Sequence, residues 1–329
     1  MIFIGENMKK YYFRSDLAVE SLKNATKDKD YRYSKDVIND ILVESFEILS
    51  KSDNYPHEVG NYVEILFDDY SKNDTIIAII KNKLKAYIKA HTNKLDPLIL
   101  YIGLGNESLT SDAIGPKCIE HIDASHHMSI ELRHQKLVYD SICFSPSVKG
   151  KTGMETADVV EALVSLYNPD VVVVIDALCA QSYKKLCKVI QMNNVGIYPG
   201  GGVGNHRKAI TKTTMNVPVI GIGVPTVIHA SSLVNHVYTL VEGYFSESLK
   251  PASKLKVSSR DDYEGKLSDE QKRTVLGEVG MLDEEHRKQL FYEILSPLDE
   301  QFVMSDKGID SDIDILSKLI SLAINEMRI

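Results

Sequence analysis

The sequence predicts an α/β fold with a mostly parallel, mixed sheet that is flanked by helices. From residue 97 onward, short apolar runs alternate with segments of helical periodicity, an order that is typical of a sheet with helices on both faces. The apolar runs are continuous and rich in β-branched residues, as expected of strands that are buried on both sides. With 329 residues, the chain can bury a substantial core in one large domain or in two of ordinary size.

The elements of this core follow one another in a regular order. Strands are predicted for the runs LILYIGLG (98–105), KLVYDSI (136–142), VVVVID (171–176) and VPVIGIGV (217–224). Helices are predicted between and after these strands, at 114–124, 155–167 and 226–245.

Two of the helices carry start signals. Thr152 and Glu155 have the T-x-x-E spacing of a capping box in front of the second helix. Pro225 stands where the first turn of the third helix would tolerate a proline. These signals support a start near Glu155 for the second helix and just after Pro225 for the third.

Residues 17–94 differ from the core and are interpreted as an N-terminal flank of the same domain. They are charged and mixed in composition, with helical periodicity at 37–49 and 75–88 and a predicted strand at 62–67. The core itself is assigned to residues 95–245.

The C-terminal part begins with a polar stretch. Residues 246–268 are rich in turn formers, which predicts a surface excursion or linker. Helical patterns resume in 269–329, at 284–295 and 312–327, and the chain contains no internal repeat.

Composition excludes several classes of protein. A net charge of −8 and a pI near 5.7 argue against a nucleic-acid binder, which needs a dominant basic face. No run approaches the ~20 apolar residues of a membrane helix, and the first ten residues lack the apolar region of a signal peptide. The four cysteines have no C-x-x-C spacing and are expected to be reduced packing thiols of a cytoplasmic protein: Cys118, Cys143, Cys179 and Cys187.

Two aspartates follow predicted strands and are the candidate catalytic groups. Asp112 lies in the loop after the first core strand, and Asp176 ends the run of four valines. Reactive groups of open α/β sheets collect at the carboxyl ends of strands, and a carboxylate next to such an apolar run is costly to bury without a partner or a function. The structural alternative is that each aspartate caps the helix that follows it.

The glycine-rich and histidine-rich stretches give weaker signals. Gly103 and Gly105 follow a strand, but Ser108 occupies the third glycine position of a dinucleotide-binding turn. The stretch YPGGGVGNHRK lacks the Lys-Ser/Thr of a phosphate-binding loop and is predicted to be a flexible loop that carries Asn205, His206, Arg207 and Lys208. Four histidines have no zinc-ligand spacing and are assigned to a solvated helix end: His121, His126, His127 and His134.

The stretch YYFRSDLAVES, from Tyr11 to Ser21, resembles a short extended recognition peptide. In it, acidic Asp16 is followed by apolar Leu17 and small Ala18. The alternative is a plain first helix with Ser15 as its N-cap.

Seven strings, in this order, resemble segments of the germination proteases, the spore endopeptidases of endospore-forming bacteria. They are RSDLAVES, YIGLGNESLTSDAIGP, FSPSVKGKTGMET, VVVVIDALCAQS, GIYPGGGVGNHRK, VPVIGIGVPTV and ILSPL. The resemblance covers nearly the whole chain. It implies a cytoplasmic enzyme of the forespore and spore core that degrades small acid-soluble spore proteins at germination, is made as an autoprocessed zymogen, and assembles as a homotetramer. The implied fold is that of the hydrogenase maturation proteases.

The resemblance also assigns roles to residues. It implies a propeptide, 1–16, that is removed between Asp16 and Leu17, with substrates cut by the same rule: after an acidic residue and before an apolar residue followed by alanine. It leaves 17–329 as a single peptidase domain. Two essential aspartates of the family match Asp112 and Asp176.

On this assignment one carboxylate activates water while its protonated partner polarises the scissile carbonyl. No cofactor is expected, but assistance by a divalent metal stays open, because the related maturation proteases bind a metal at this edge.

Substrate contacts are assigned to four further residues. Arg207 and Lys208, with Asn205 beside them, would supply positive charge for acidic substrates. His229 stands where the family usually has an acidic residue. The rival functions are a hydrogenase-maturation-like metalloprotease, which would bind nickel and lack a propeptide, and a non-catalytic nucleotide-binding module.

Overall fold

The computed structural model describes residues 15–22, 31–51, 58–198, 208–249, 263, 265–299 and 302–328, with the backbone alone at 21–22 and 296–299. These residues form two compact units. The larger consists of the described parts of Arg14–Ala180, Lys184–Val227 and Ser305–Ile329, and the smaller of those of Gln181–Tyr183 and Ile228–Met304.

The strands of the described residues are β1 (Tyr31–Ile38), β2 (Ile41–Ile48), β3 (Gly60–Leu66), β4 (Leu98–Gly103), β5 (Asp140–Phe144), β6 (Val171–Ala180), β7 (Val189–Asn193), β8 (Gly196–Ile197), β9 (Ile210–Thr211), β10 (Val219–His229) and β11 (Val303–Met304). Among them, β4, β5, β6 and β10 overlap the four predicted core strands, and β3 overlaps the strand predicted at 62–67.

The main sheet has the strand order β1-β2-β3-β7-β10-β6-β4-β5, and β8 pairs with β9 in a separate ribbon. Strand β4 is parallel to both β5 and β6. Strands β1, β2, β3, β7 and β10 are antiparallel to their neighbours in that series. The predicted α/β fold with a mixed sheet is therefore confirmed, with its parallel pairs at β5, β4 and β6.

The helices are α1 (Ala18–Leu22), α2 (Asn73–His91), α3 (Ile114–His121), α4 (Ile130–Lys136), α5 (Lys149–Thr152), α6 (Thr156–Tyr167), α7 (Lys212–Met215), α8 (Ala230–Ser248), α9 (Asp269–Met281), α10 (Glu284–Asp299) and α11 (Ile309–Asn325). Two 3-10 turns lie at Thr110–Asp112 and Tyr183–Lys185.

Both faces of the parallel strands are covered, which explains the unbroken valine run. Val171 and Val173 belong to the apolar cluster that includes residues of α2, α3 and α11. Val172 and Val174 belong to the cluster on the other face, with residues of α6 and α7. All four side chains are fully buried, and each contributes about 1.5–3 kcal/mol by leaving water.

The smaller unit is mainly helical. Helix α8 packs against α9 and α10, the guanidinium of Arg287 lies 4.3 Å from the centre of the Tyr238 ring, and Lys272 Nζ lies 3.3 Å from Glu242 Oε1. Ile228 and His229, the last residues of β10, pair with β11. The predicted boundaries at residues 16, 94, 245 and 268 stay a prediction.

The predicted helix at 37–49 is wrong, because this segment forms the β1–β2 hairpin. Asn39 and Asp40 have φ values of 47° and 64°. Positive φ at both central residues is the signature of a type I′ turn, whose twist suits two antiparallel strands. The apolar residues of this segment recur at intervals close to those of a helix, which is why their pattern favours a helix.

The predicted capping box at Thr152 and the helix start at Pro225 are wrong, whereas α6 begins at Thr156, one residue from the predicted 155. Thr152 ends α5, and Glu155 is the N-cap of α6 without a side-chain capping bond. Pro225 lies within β10, and α8 begins only at Ala230. Pro225 lies beyond residues 221–223, at which β10 pairs with β7.

Among the residues that the structure describes, no helix combines the length and apolar character that crossing a membrane would require.

Candidate active site

Asp112 ends a tight loop that follows β4. The Leu104 N–H donates to the Ile175 carbonyl at 2.8 Å, so the chain is still bonded to β6 as it leaves β4. Gly105 has a φ of +118°, and a Cβ atom there would lie 2.0 Å from the Asp112 carbonyl oxygen, so the loop requires glycine. The Asn106 N–H donates to that carbonyl oxygen at 3.0 Å and to Asp112 Oδ2 at 2.9 Å. These bonds hold Asp112 in a 3-10 turn that contacts β6.

Asp176 lies within β6 and is 7% exposed. Its Oδ1 accepts a hydrogen bond from the Ala177 N–H at 2.9 Å. In the parallel register, Gly103 of β4 lies opposite Ile175 of β6, so the loop to Asp112 and the residue Asp176 both follow this pair. The two aspartates thus come from neighbouring parallel strands, as predicted. The prediction that Asp176 ends its strand is wrong, because β6 continues to Ala180, and the catalytic role of both residues stays a prediction.

Neither aspartate is a helix cap. The N-cap of α3 is Ala113, which makes no side-chain capping bond. Strand β6 continues beyond Asp176 to Ala180, so no helix starts at that point. The structural alternative for both residues is therefore wrong, and another reason is needed for a buried carboxylate in the valine strand.

The described residues 15–20, which we call the docked segment, lie against the end of β6. The Asp16 N–H donates to the Cys179 carbonyl at 3.0 Å, and the Cys179 N–H donates to Asp16 Oδ2 at 2.9 Å. Leu17, Ala18 and Val19 are fully buried. The Asp16–Leu17 bond is therefore held in place by the strand that carries Asp176.

The alternative of a first helix is confirmed in part: helix α1 is present, but it starts at Ala18 and not directly after Ser15. Ser15 Oγ accepts from the Leu17 N–H at 3.0 Å and donates to Glu20 Oε2 at 2.5 Å. The chain around the Asp16–Leu17 bond is thus non-helical.

Two polar side chains of the sheet bind the backbone of the docked segment. Gln191 of β7 donates through Nε2 to the Asp16 carbonyl at 2.9 Å and accepts through Oε1 from the Ala18 N–H at 2.7 Å. Glu64 of β3 accepts through Oε1 from the Val19 N–H at 3.1 Å. Both side chains are buried, with 4% and 0% of their surface exposed.

A lysine balances the buried charge of this region. Lys185 Nζ lies 2.7 Å from Glu64 Oε2 and 4.0 Å from Glu20 Oε1. Burial raises the pKa of Glu64, and the nearby Lys185 ammonium counteracts that rise. This pairing lets a carboxylate occupy the sheet interior.

Neither Gln191 nor Glu64 is among the site residues that the sequence predicts. Each is a single polar residue within an apolar strand, in VIQMN and YVEIL. Such a residue commonly marks the solvent face of a strand, and the strand Val189–Asn193 was not predicted at all. These two positions are polar because their side chains bind the backbone of the docked segment.

The remaining predicted substrate contacts lie elsewhere or outside the described residues. Asn205 and Arg207 fall outside them. Lys208 Nζ lies 3.0 Å from Asp158 Oδ1 and 2.6 Å from Glu161 Oε2, both on α6. Hydrogen bonds to these carboxylates, first to Glu161, raise the pKa of Lys208.

His229 belongs to the smaller unit, where it pairs with Val303 and precedes α8. Its predicted role stays a prediction. Within the described ranges, no group of three or more His, Cys, Asp or Glu side chains is arranged to hold a metal ion.

Comparison with solved structures gives a partial likeness to a [NiFe] hydrogenase maturation protease, HycI, from Thermococcus kodakarensis KOD1. The likeness covers 43% of this chain and 80% of that chain, with 17% sequence identity and a TM-score of 0.29.

Comparison with known sequences gives likenesses that cover nearly the whole chain. The germination protease of Bacillus subtilis (strain 168) is 31% identical over 355 residues, covering 97% of this chain and 94% of that protein. The germination protease of Oceanobacillus iheyensis is 30% identical over 344 residues, covering 96% and 94%. That of Geobacillus sp. (strain WCH70) is 31% identical over 350 residues, covering 96% and 93%. The sequence model of the germination protease family matches residues 14–328, and the chain therefore belongs to this family of peptidases.

Proposed function

We propose that this protein is an endopeptidase that begins the degradation of small acid-soluble spore proteins during germination, and that it is made as a zymogen which cuts itself between Asp16 and Leu17. Membership of the germination protease family supports the proposal. The observation that carries it is the position of the docked segment: Asp16 bonds through backbone and side chain to Cys179, three residues beyond Asp176 on β6. A short acidic-Leu-Ala sequence is thus bound to the strand that carries a candidate catalytic carboxylate, about 10 Å along that strand from Asp176.

In the proposed mechanism, Asp112 and Asp176 act together on one peptide bond. One carboxylate, ionised, takes a proton from the attacking water, and the other, protonated, hydrogen-bonds to the scissile carbonyl and later protonates the departing amine. The mechanism requires the two carboxyls to lie within a few Å of each other, where neighbouring like charges make it costly for both to ionise.

The proposed substrates are cut by the same rule as the docked segment, after an acidic residue and before an apolar residue followed by alanine. The proposed assembly is a homotetramer in the cytoplasm of the forespore and spore core. The proposal includes no direct binding to nucleic acid, in keeping with the net charge of −8.

The test uses the enzyme form that begins at Leu17. It measures how fast this form cleaves a peptide that contains an acidic residue followed by Leu-Ala. Asp112→Asn and Asp176→Asn keep the shape and hydrogen bonding of each side chain but remove its proton transfer, so each is expected to lose about 10²-fold or more of the rate. Asp123→Asn, at an exposed position, is the matched control and should retain full activity. Full activity in either of the first two variants would remove that residue from the mechanism.

A chelator separates this mechanism from the metalloprotease alternative. The aspartate pair is expected to remain active in the presence of EDTA. Loss of wild-type activity on chelation, with recovery on adding back a divalent metal, would instead make the two carboxylates metal ligands.

A further inference from the structure

The buried side chain of Gln191 binds the backbone on both sides of Leu17, the residue that follows the proposed cut. Its Nε2 lies 2.9 Å from the Asp16 carbonyl oxygen, and its Oε1 lies 2.7 Å from the Ala18 nitrogen. A carbonyl oxygen can only accept and a backbone N–H can only donate, so one orientation of the amide satisfies both contacts. The carbonyl that Gln191 binds is the one that hydrolysis would attack.

The sheet places Gln191 and Glu64 in one row beneath the docked segment. Gln191 lies directly opposite Glu64 on β3, and directly opposite residues of neighbouring strands share a face of the sheet. The two side chains accept successive N–H groups of the docked segment, from Ala18 and Val19. This row therefore binds backbone and leaves the Asp16 side chain to the Cys179 N–H.

Because Gln191 is buried, its amide group needs hydrogen-bond partners within the protein. Gln191 is 4% exposed, and a buried amide is costly unless its polar atoms have partners. Both amide atoms find them on the docked segment, whereas a leucine or methionine would fill the same space without such a requirement. The residue type at this position is therefore explained by the peptide that it binds.

We propose that Gln191 is a positioning residue for cleavage of the Asp16–Leu17 bond. The inference rests on the proposed self-processing and deepens it. In the step, the oxygen of water adds to the Asp16 carbonyl carbon, the bond from that carbon to the Leu17 nitrogen breaks, and the nitrogen takes up a proton. Asp16 then ends in an α-carboxyl group and Leu17 begins with an α-amino group. The hydrogen bond from Gln191 fixes the carbonyl and strengthens as negative charge builds on its oxygen.

The test measures, by intact mass, how fast the full chain gives the species that begins at Leu17. Gln191→Met keeps the side-chain volume but removes both hydrogen bonds, and conversion is expected to be at least about tenfold slower. Ile190→Val, at a buried neighbour on β7 that belongs to the apolar core, lowers stability without touching the docked segment. It should convert at the wild-type rate when all proteins are assayed well below their unfolding midpoints.

The variant Gln191→Glu is tested by the pH dependence of its conversion rate, which a purely structural role of Gln191 would leave like that of wild type. An ionised carboxylate accepts from the Ala18 N–H but cannot donate to the Asp16 carbonyl, whereas a protonated carboxyl can do both. Burial and the facing carboxylate of Glu64 raise the pKa of the introduced carboxyl, and the Lys185 ammonium counteracts that rise. Relative to wild type at the same pH, this variant is expected to convert slowly above that pKa and to recover below it. Gln191→Met should stay slow throughout.

Wild-type conversion by Gln191→Met would overturn the inference, and so would a loss no greater than that of an Ile190→Val variant with the same unfolding midpoint. Failure of the proposed function has a different signature. In that case the wild-type chain does not yield the Leu17 species, or Asp176→Asn yields it at the wild-type rate.

Discussion

Gly115 lies where helix α3 touches the two strands that lead to the candidate aspartates. A Cβ atom at this position would lie 2.2 Å from the Leu104 carbonyl oxygen and 2.6 Å from the Ile175 carbonyl oxygen. Both are backbone atoms, so they cannot yield as a flexible side chain would. The close approach of α3 to the sheet edge therefore depends on this glycine.

Gly115→Ala is expected to lower the free energy of unfolding by about 1–3 kcal/mol, the usual cost of overpacking, and to reduce peptide cleavage because α3 follows Asp112 directly. Gly150→Ala is the matched control, since no heavy atom lies within 4 Å of a Cβ there, and it should be neutral or slightly stabilising. Urea unfolding of the three proteins checks this. Wild-type stability for Gly115→Ala would show that α3 can move away from the edge without cost.

At this scale the sequence predicts the catalytic candidates better than the residues that hold the peptide. Asp112 and Asp176 follow apolar runs, and a carboxylate in that position has a recognisable physical cost. Gln191 and Glu64 are isolated polar residues whose partners come from the docked segment, 173 and 45 residues away along the chain. No local pattern carries that information.

The β1–β2 hairpin is the element in which sequence and structure differ most. Its apolar residues mimic helical spacing, and the Asn39-Asp40 turn was the available signal against a helix. Tyr33 of β1 donates to Glu44 Oε1 of β2 at 2.6 Å, and Glu44 is only 4% exposed. The pKa of Tyr33 is raised from 10.0 to about 12. The hydrogen bond to the Glu44 carboxylate is the largest cause, and burial is the second.

Tyr33→Phe is expected to destabilise the protein by about 1–2 kcal/mol near neutral pH, because a buried carboxylate loses a donor, and the effect is moderated by the half-exposed position of Tyr33. Since the pKa of the phenol is raised on folding, its contribution is complete below pH 10.0 and disappears as the pH rises through about 12. The stability difference between wild type and Tyr33→Phe should therefore vanish over that range in denaturant unfolding. A difference that persists at high pH would contradict this account of the pair.

For the whole molecule, the layered α/β fold could be predicted, because valines that alternate between two apolar clusters leave a continuous run in the sequence. The extension of the sheet could not. Within the described residues, strands β1, β2 and β3 are hydrogen-bonded to the rest of the sheet through β7, so residues interpreted as a flank complete the sheet on which the docked segment lies. Strand order of this kind is set by long-range pairing and not by local periodicity.

The contacts of Asp16 decide what a substitution at the proposed cut would do. Its backbone and side chain both bond to Cys179, and Leu17 is fully buried. Asp16→Lys should therefore weaken docking as well as remove the acidic residue before the cut. Its effect on stability has to be measured beside its effect on processing.

The measurement that tests the central claim most directly is the intact mass of the purified full chain during incubation at mildly acidic pH. The account predicts that wild type converts to a single species that begins at Leu17, whereas Asp176→Asn and Asp16→Lys remain folded and keep their original N-terminus. An unchanged wild-type mass, or conversion of Asp176→Asn at the wild-type rate, would contradict it.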